Sequence, residues 1–284
     1  MITDQAERLR QLIAKKAQGV DLEFENVVRR VFGENKPIFV FLGLEEELLS
    51  FCNFSGNIAI ELSKFDKEVF LIDAYSGKVN TSLIFGIDAL NNLREAGRGN
   101  LDFKDTVYPA YKKVRLSLGW EEIVDIGNWP INCRLNFFDY FNNLKESADI
   151  IIINELSLKF SAVLNNVILV FSPTQKNLMD IYKKFKKLTS LNLNEDCFFG
   201  FILNNVTSLA KANEFSRKFI TMSKEFLGKD IKYLGEIVLS PEILKSIKAK
   251  KPFVTLYPYS YPVSLFRKIA QSLVKLSLRE EIMR

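Results

Sequence analysis

Histidine is absent from all 284 residues. That zero excludes Ser-His-Asp and Cys-His nucleophilic catalysis, histidine-ligated zinc and an imidazole acid or base. Cysteine is nearly as scarce. Cys52, Cys133 and Cys197 are odd in number and far apart, so they form neither a disulfide framework nor a CxxC metal or redox site. A reducing cytosol is the expected compartment. No apolar run approaches the roughly 18 residues of a spanning helix, and Asp4 and Glu7 stand where a secretory leader would be basic and then apolar. The expectation is a soluble protein, peripheral to a membrane at most. Neither sign of charge is in large excess: 39 basic against 34 acidic residues leave a net +5. That balance permits an acidic partner or an anionic surface without requiring nucleic acid, and none is expected.

What is present is an ordinary globular composition, 48% hydrophobic and 26% charged, enough for one large α/β domain or two small ones. Strand-like runs are predicted at Ile38–Leu42, Glu68–Ile72, Ile150–Ile153, Val167–Phe171, Phe198–Leu203 and Ile231–Val238, with helical stretches between several of them. Buried strands alternating with helices imply a doubly wound, mostly parallel sheet. Ligands in such sheets bind beyond the carboxyl ends of strands, which directs attention to the turns after Leu42, Ile72 and Ile153. Residues 88–135 hold both tryptophans and mixed periodicity, and read as an elaborated excursion.

The N-terminal stretch 2–16 has Ile2, Ala6, Leu9, Leu12 and Ile13 at helical spacing, acidic residues early and Lys15 and Lys16 late, as the helix dipole favours. Thr3 is a candidate N-cap. Residues 1–18 are therefore expected as a separate helical arm, 19–37 as a linker with a short helix near Val20–Phe32, and 38–284 as the α/β domain. The linker proper is expected at Gly33–Pro37.

Residues 38–64 read as strand, turn and helix, the arrangement in which a phosphate-binding loop places glycines and a lysine. Glycines let backbone N–H groups converge on phosphate oxygens while the lysine neutralises their charge. This turn carries Glu45, Glu46 and Glu47 instead, three carboxylates that repel phosphate. Consecutive residues do not point at one centre, so a metal site there is not expected.

The segment VFLIDAYSGKVN at 69–80, followed by LIFG at 83–86, resembles the MinD/ParA family of P-loop ATPases. The proline turn and helix at 171–183, the LGEIVLSP segment at 234–241, AKKPF at 249–253 and Tyr257-Pro258 resemble its flagellar-number branch, FlhG or YlxH. DQAERLR at 4–10 matches that branch's N-terminal DQAxxLR motif at every specified position. The resemblance implies a MinD/ParA-type doubly wound fold with an N-terminal helical arm, a cytoplasmic location, and a role in flagellar number or placement. In FlhG proteins the N-terminal helix docks on the signal-recognition-type GTPase FlhF, so the resemblance assigns partner contact to Asp4, Gln5, Ala6, Leu9 and Arg10. Gln5 would be the contacting side chain, with Leu9 and Arg10 holding the helix.

Carried over residue by residue, the family's ATP machinery is largely missing. Counting back from Asn57, the signature lysine falls at Glu46, the P-loop lysine at Phe51 and the magnesium-binding hydroxyl at Cys52. The second acidic residue of the strand-two motif falls at Tyr75, and the Walker B aspartate at Asn154. Asp73, Asn80 and Asn204 survive as residual nucleotide-pocket positions. One aspartate and two asparagines do not replace a lysine and Mg²⁺, whose positive charge stabilises phosphoryl transfer. No catalytic residue, metal or cofactor is therefore expected, and the chain should be a monomer or an ATP-independent dimer.

Two other readings stand beside this one. The first is a divergent ATPase using ATP and Mg²⁺, with phosphate contacts from Lys64, Lys67 or Lys78. The second is a scaffold for membrane or flagellar basal-body proteins. It would use the basic clusters Lys183, Lys184, Lys186, Lys187 and Lys248, Lys250, Lys251, and a terminal amphipathic helix with Phe266, Ile269, Leu273 and Leu276. For each feature a structural role, as a solvated or core-packed helix face, is the simpler expectation.

Overall fold

The computed structural model describes residues 24–32, 37–75, 77, 79–164, 166–191 and 197–283. The arm, Asp4–Arg10 included, lies outside the described residues, as does most of the Gly33–Pro37 linker. Strands β1 (Ile38–Leu42), β2 (Val69–Asp73) and β5 (Ile150–Glu155) are buried at every residue, the pattern of parallel strands covered on both faces. They form the centre of an eight-stranded sheet of order β3-β4-β2-β5-β1-β6-β7-β8. It continues through β6 (Asn166–Phe171), β7 (Phe198–Val206) and β8 (Lys232–Val238), all parallel.

The doubly wound, mostly parallel sheet expected from the strand pattern is thus present. Its one antiparallel strand comes from the excursion. β3 (Val107–Tyr111) and β4 (Val114–Leu118) form a hairpin, and β4 adds to β2 in parallel register, Val69 opposite Val114. β3 is an edge strand, which is where Pro109 can sit without breaking a central ladder. Trp120 follows the hairpin into the core, fully buried, with its indole N–H donating to Ser117 Oγ at 2.8 Å.

Helices cover both faces. The short helix expected before the first strand is α1 (Phe24–Phe32). Its Val27, Val28, Val31 and Phe32 are buried, packed with α5 (Ile131–Glu146) into the core on one face. α6 (Gln175–Thr189) and α7 (Leu209–Leu227) pack over β6 and β7. On the other face α2 (Leu48–Ser63) packs with the terminal α10 (Tyr261–Met283). The stripe considered for membrane contact faces inward: Phe266, Ile269 and Leu273 are buried in the core shared with α2, and Leu276 packs against it. No described helix is long and apolar enough to cross a membrane.

Candidate functional site

The turn after β1 is at the carboxyl edge of the sheet, where a doubly wound fold places its ligand. Gly43 donates its N–H to the Glu155 carbonyl at 3.1 Å. Glu45–Glu47 then make one 3-10 turn, and α2 begins at Leu48. One turn into α2 the side chain of Phe51, 2% exposed, swings back over the loop. A Cβ added to Gly43 would lie 2.8 to 3.0 Å from three of its ring carbons, so a phenyl ring fills the space above the glycine.

The carboxylates are tied to neighbouring elements. Glu47 Oε2 accepts the Ser172 N–H at 2.9 Å, and Glu46 Oε1 pairs with Lys176 Nζ at 2.7 Å. Lys184, read above as part of a solvated helix face, is instead half-buried. Its Nζ donates to the carbonyls of Gly43 at 3.0 Å and Leu156 at 2.6 Å, and burial lowers its pKa. Helical phase turns Lys184 inward while Lys183, Lys186 and Lys187 remain exposed. The turn therefore packs a buried ring over Gly43 and carries carboxylates on its rim, and its Gly43 carbonyl is capped by an ammonium.

Beneath the turn, four sequence-selected positions come together around Asp73. Its Oδ2 accepts the Thr81 N–H at 2.7 Å; its Oδ1 accepts from Thr81 Oγ1 at 2.7 Å and from Asn154 Nδ2 at 2.8 Å. Asn154 Nδ2 is also 2.7 Å from Ser55 Oγ, while its Oδ1 has no partner among the described residues. Cys52 Sγ lies 2.8 Å from the Tyr75 hydroxyl. All six side chains are buried. Burial raises the Asp73 pKa against the opposing hydrogen bonds from Thr81, Asn154 and Tyr75. Burial first, then the nearby Asp73 charge, push the Cys52 thiol and the Tyr75 hydroxyl far up. A thiol held protonated is neither a nucleophile nor a metal ligand.

The other two surviving positions do not join this cluster. Asn80 Oδ1 accepts from the Ser82 N–H at 3.0 Å and the Ser82 hydroxyl at 2.6 Å, at the start of the short helix α3 (Ser82–Phe85). It lines a cavity of about 150 Å³ with Tyr75, Asn92 and Arg94. Asn204 donates to Ser50 Oγ at 3.0 Å. Its neighbour Asn205, in the left-handed region at φ 54°, bridges Ser50 Oγ at 2.6 Å and Ser172 Oγ at 3.0 Å.

Sequence reasoning passed over Ser55, Thr81 and Glu155, and placed Lys184 only on a solvated basic face. Ser55, one helical turn beyond Cys52, and Thr81, next to Asn80, were open to inference from spacing; Lys184 and Glu155 were not. The Glu155 carboxylate is fully buried and accepts the backbone N–H groups of Phe160 and Ser161, each at 2.9 Å, and the Ser161 hydroxyl. Burial still pushes its pKa up to about 7. Lys64, a candidate phosphate ligand, stands at the far end of α2, beyond sixteen helical residues or roughly 24 Å, and pairs with Glu61. Lys67 precedes β2, at the amino edge of the sheet.

Beside the turn runs a groove of about 390 Å³, lined in part by Glu46, Leu49, Asn205, Leu239, Leu244 and Ile247. Leu49, Leu239 and Leu244 are 42, 47 and 54% exposed. The latter two flank and belong to α8 (Pro241–Lys248).

Strand order, crossover pattern and the β1 turn define a protein with the MinD/ParA P-loop ATPase fold. The MinD cell division protein of Aquifex aeolicus superposes with a TM-score of 0.64 at 14% identity, covering 84% of this chain and 97% of that one. The septum site-determining protein MinD of Pyrococcus horikoshii, solved with Mg-ADP, gives 0.59 at 20% identity over 86% of this chain and 98% of that one. By sequence the chain is similar to Antiactivator FleN of Pseudomonas aeruginosa, 20% identical over 231 residues that cover 77% of this chain and 80% of FleN. No protein-family model matches the chain.

Proposed function

We propose that this chain is a MinD/ParA-type regulator of flagellar number or placement whose body has lost the ATP cycle. It acts by presenting Asp4–Arg10 to an FlhF-type GTPase. The observation that carries the loss is the Phe51 ring seated on Gly43. Phosphate binding at a helix N-terminus needs open backbone N–H groups and a positive charge; here the space holds a phenyl ring and the rim holds Glu46 and Glu47. The group that the fold implies, Mg-ATP, does not fit these residues. The metal-binding hydroxyl is replaced by a protonated Cys52 thiol, and the Walker B carboxylate by Asn154, already bonded to Asp73 and Ser55. No step is routed through nucleotide, and dimerisation would not depend on it.

With the body's own chemistry closed, the working part of the reading is Gln5. An added side chain that orients the attacking water, or stabilises developing charge, raises a slow GTPase rate strongly. The similarity to FleN, an antiactivator by name, is in keeping with action through binding rather than turnover. The test is the GTPase rate of the cognate FlhF-type protein with and without this chain. The expected result is stimulation by the wild type that Gln5→Ala abolishes. Absence of stimulation by the wild type, with the partner shown to be active, would overturn the reading.

A further inference from the structure

The groove beside the β1 turn exposes three leucines, Leu49, Leu239 and Leu244, on one concave surface bordered by the exposed Glu46. A grooved apolar surface between two helices suits an amphipathic helix, and residues 2–16 of this chain have the sequence pattern of one. At about 100° per residue, Ile2, Ala6, Leu9, Leu12 and Ile13 share an arc of about 120°, with Arg8 and Arg10 on its two flanks. The apolar arc matches the leucines.

The point where the described chain begins fits the same occupant. Phe24 packs edge-on against Phe160, ring centroids 5.3 Å apart, and the Phe160 N–H is held by Glu155 at the carboxyl end of β5. Residues 1–23 thus join the body at the same edge of the sheet as the groove, on the opposite face. Four strand spacings from β5 to β8 and a helix layer on each side put the two points on the order of 28 Å apart. Residues 17–23 reach about 23 Å when extended, and a helix over 2–16 adds about 22 Å.

We propose that residues 2–16 seat in the Leu49–Leu239–Leu244 groove of their own body. Gln5 falls inside the apolar arc, about 20° from Leu12, so seating the leucines covers Gln5 as well. The groove and the GTPase then compete for one face of the arm. Only this regulatory consequence rests on the function proposed above; the seating itself does not.

Hydrogen exchange on the full-length chain, with no GTPase present, tests the seating. Amides of residues 4–13 should be protected in the wild type and should exchange at least about tenfold faster in Leu244→Asp. Leu244→Met should retain protection, and amides of 150–155 should be unchanged in both variants, since Leu244 lies at the surface. Equal exchange of the arm in wild type and Leu244→Asp would overturn the proposal. Protection that grows with protein concentration would overturn it too, by assigning the groove to the arm of a second copy. Because no GTPase is present, a failure here is distinguishable from failure of the activator reading.

Discussion

The Phe51 ring rests on Gly43, close enough that a Cβ on the glycine would stand 2.8 Å from Cγ of the ring. The first turn of α2 therefore covers the loop that precedes it. Both residues are buried, so the contact is part of the core as well as of the turn.

Gly43→Ala should cost about 1 to 3 kcal/mol, because the ring is surrounded and must be displaced. Phe51→Ala alone should cost about 3 to 5 kcal/mol through the cavity it leaves. Combined, the two changes should cost less than their sum, because the small side chain at 51 removes the clash. Urea unfolding of the four proteins measures the coupling. Strict additivity would mean that the ring does not hold the glycine.

Restoring the family's acidic residue with Asn154→Asp should not restore ATP turnover. It places a second carboxylate about where the Asn154 amide now lies 2.8 Å from Asp73 Oδ1 and removes the amide donors to Asp73 and Ser55. Like charges at that distance share a proton, so the loss of stability should be smallest in acid and grow as pH rises and the pair is forced to ionise. Denaturation midpoints at several pH values, alongside an ATPase assay, give the check. A stable variant at neutral pH, or one that hydrolyses ATP, would contradict the account of this network.

Glu155 gives the wild type a pH dependence of its own. Its folded pKa is raised to about 7 by burial, above the ordinary 4.5, so the folded state holds its proton more tightly than the unfolded state between those values. Stability from this group is present at low pH and falls as pH rises from about 4.5 to 7, by on the order of 3 kcal/mol in all. Glu155→Gln should flatten that part of the profile. An unchanged slope between pH 5 and pH 7 in the variant would show that another group sets it.

The strands could be read because a parallel strand buried on both faces is a continuous apolar run, as Ile38–Leu42 shows with identical predicted and observed bounds. The hairpin at 107–118 could not. Edge strand β3 is partly exposed and contains Pro109, and β4 mixes Arg115 and Ser117 with apolar residues, so neither carries a clean period. The side-chain chemistry of Phe51, Cys52 and Asn154 was legible one residue at a time, since none of them carries a charge wherever it points.

By itself the sequence determined the class of fold, through its apolar runs and their alternation with helices, and the chemistry that each side chain brings, through the identities of single residues. Tertiary structure decided which of those side chains meet. Whether Phe51 covers Gly43, whether Lys184 leaves its basic helix face to bind the Gly43 carbonyl, and whether Asp73 is closed off by Thr81 and Asn154 all depend on contacts between segments 8 to 141 residues apart. Local periodicity fixes the direction of a side chain along its own helix or strand. Its partner across the sheet edge is set only when the layers pack, because that packing decides which polar groups lose water and must find one another.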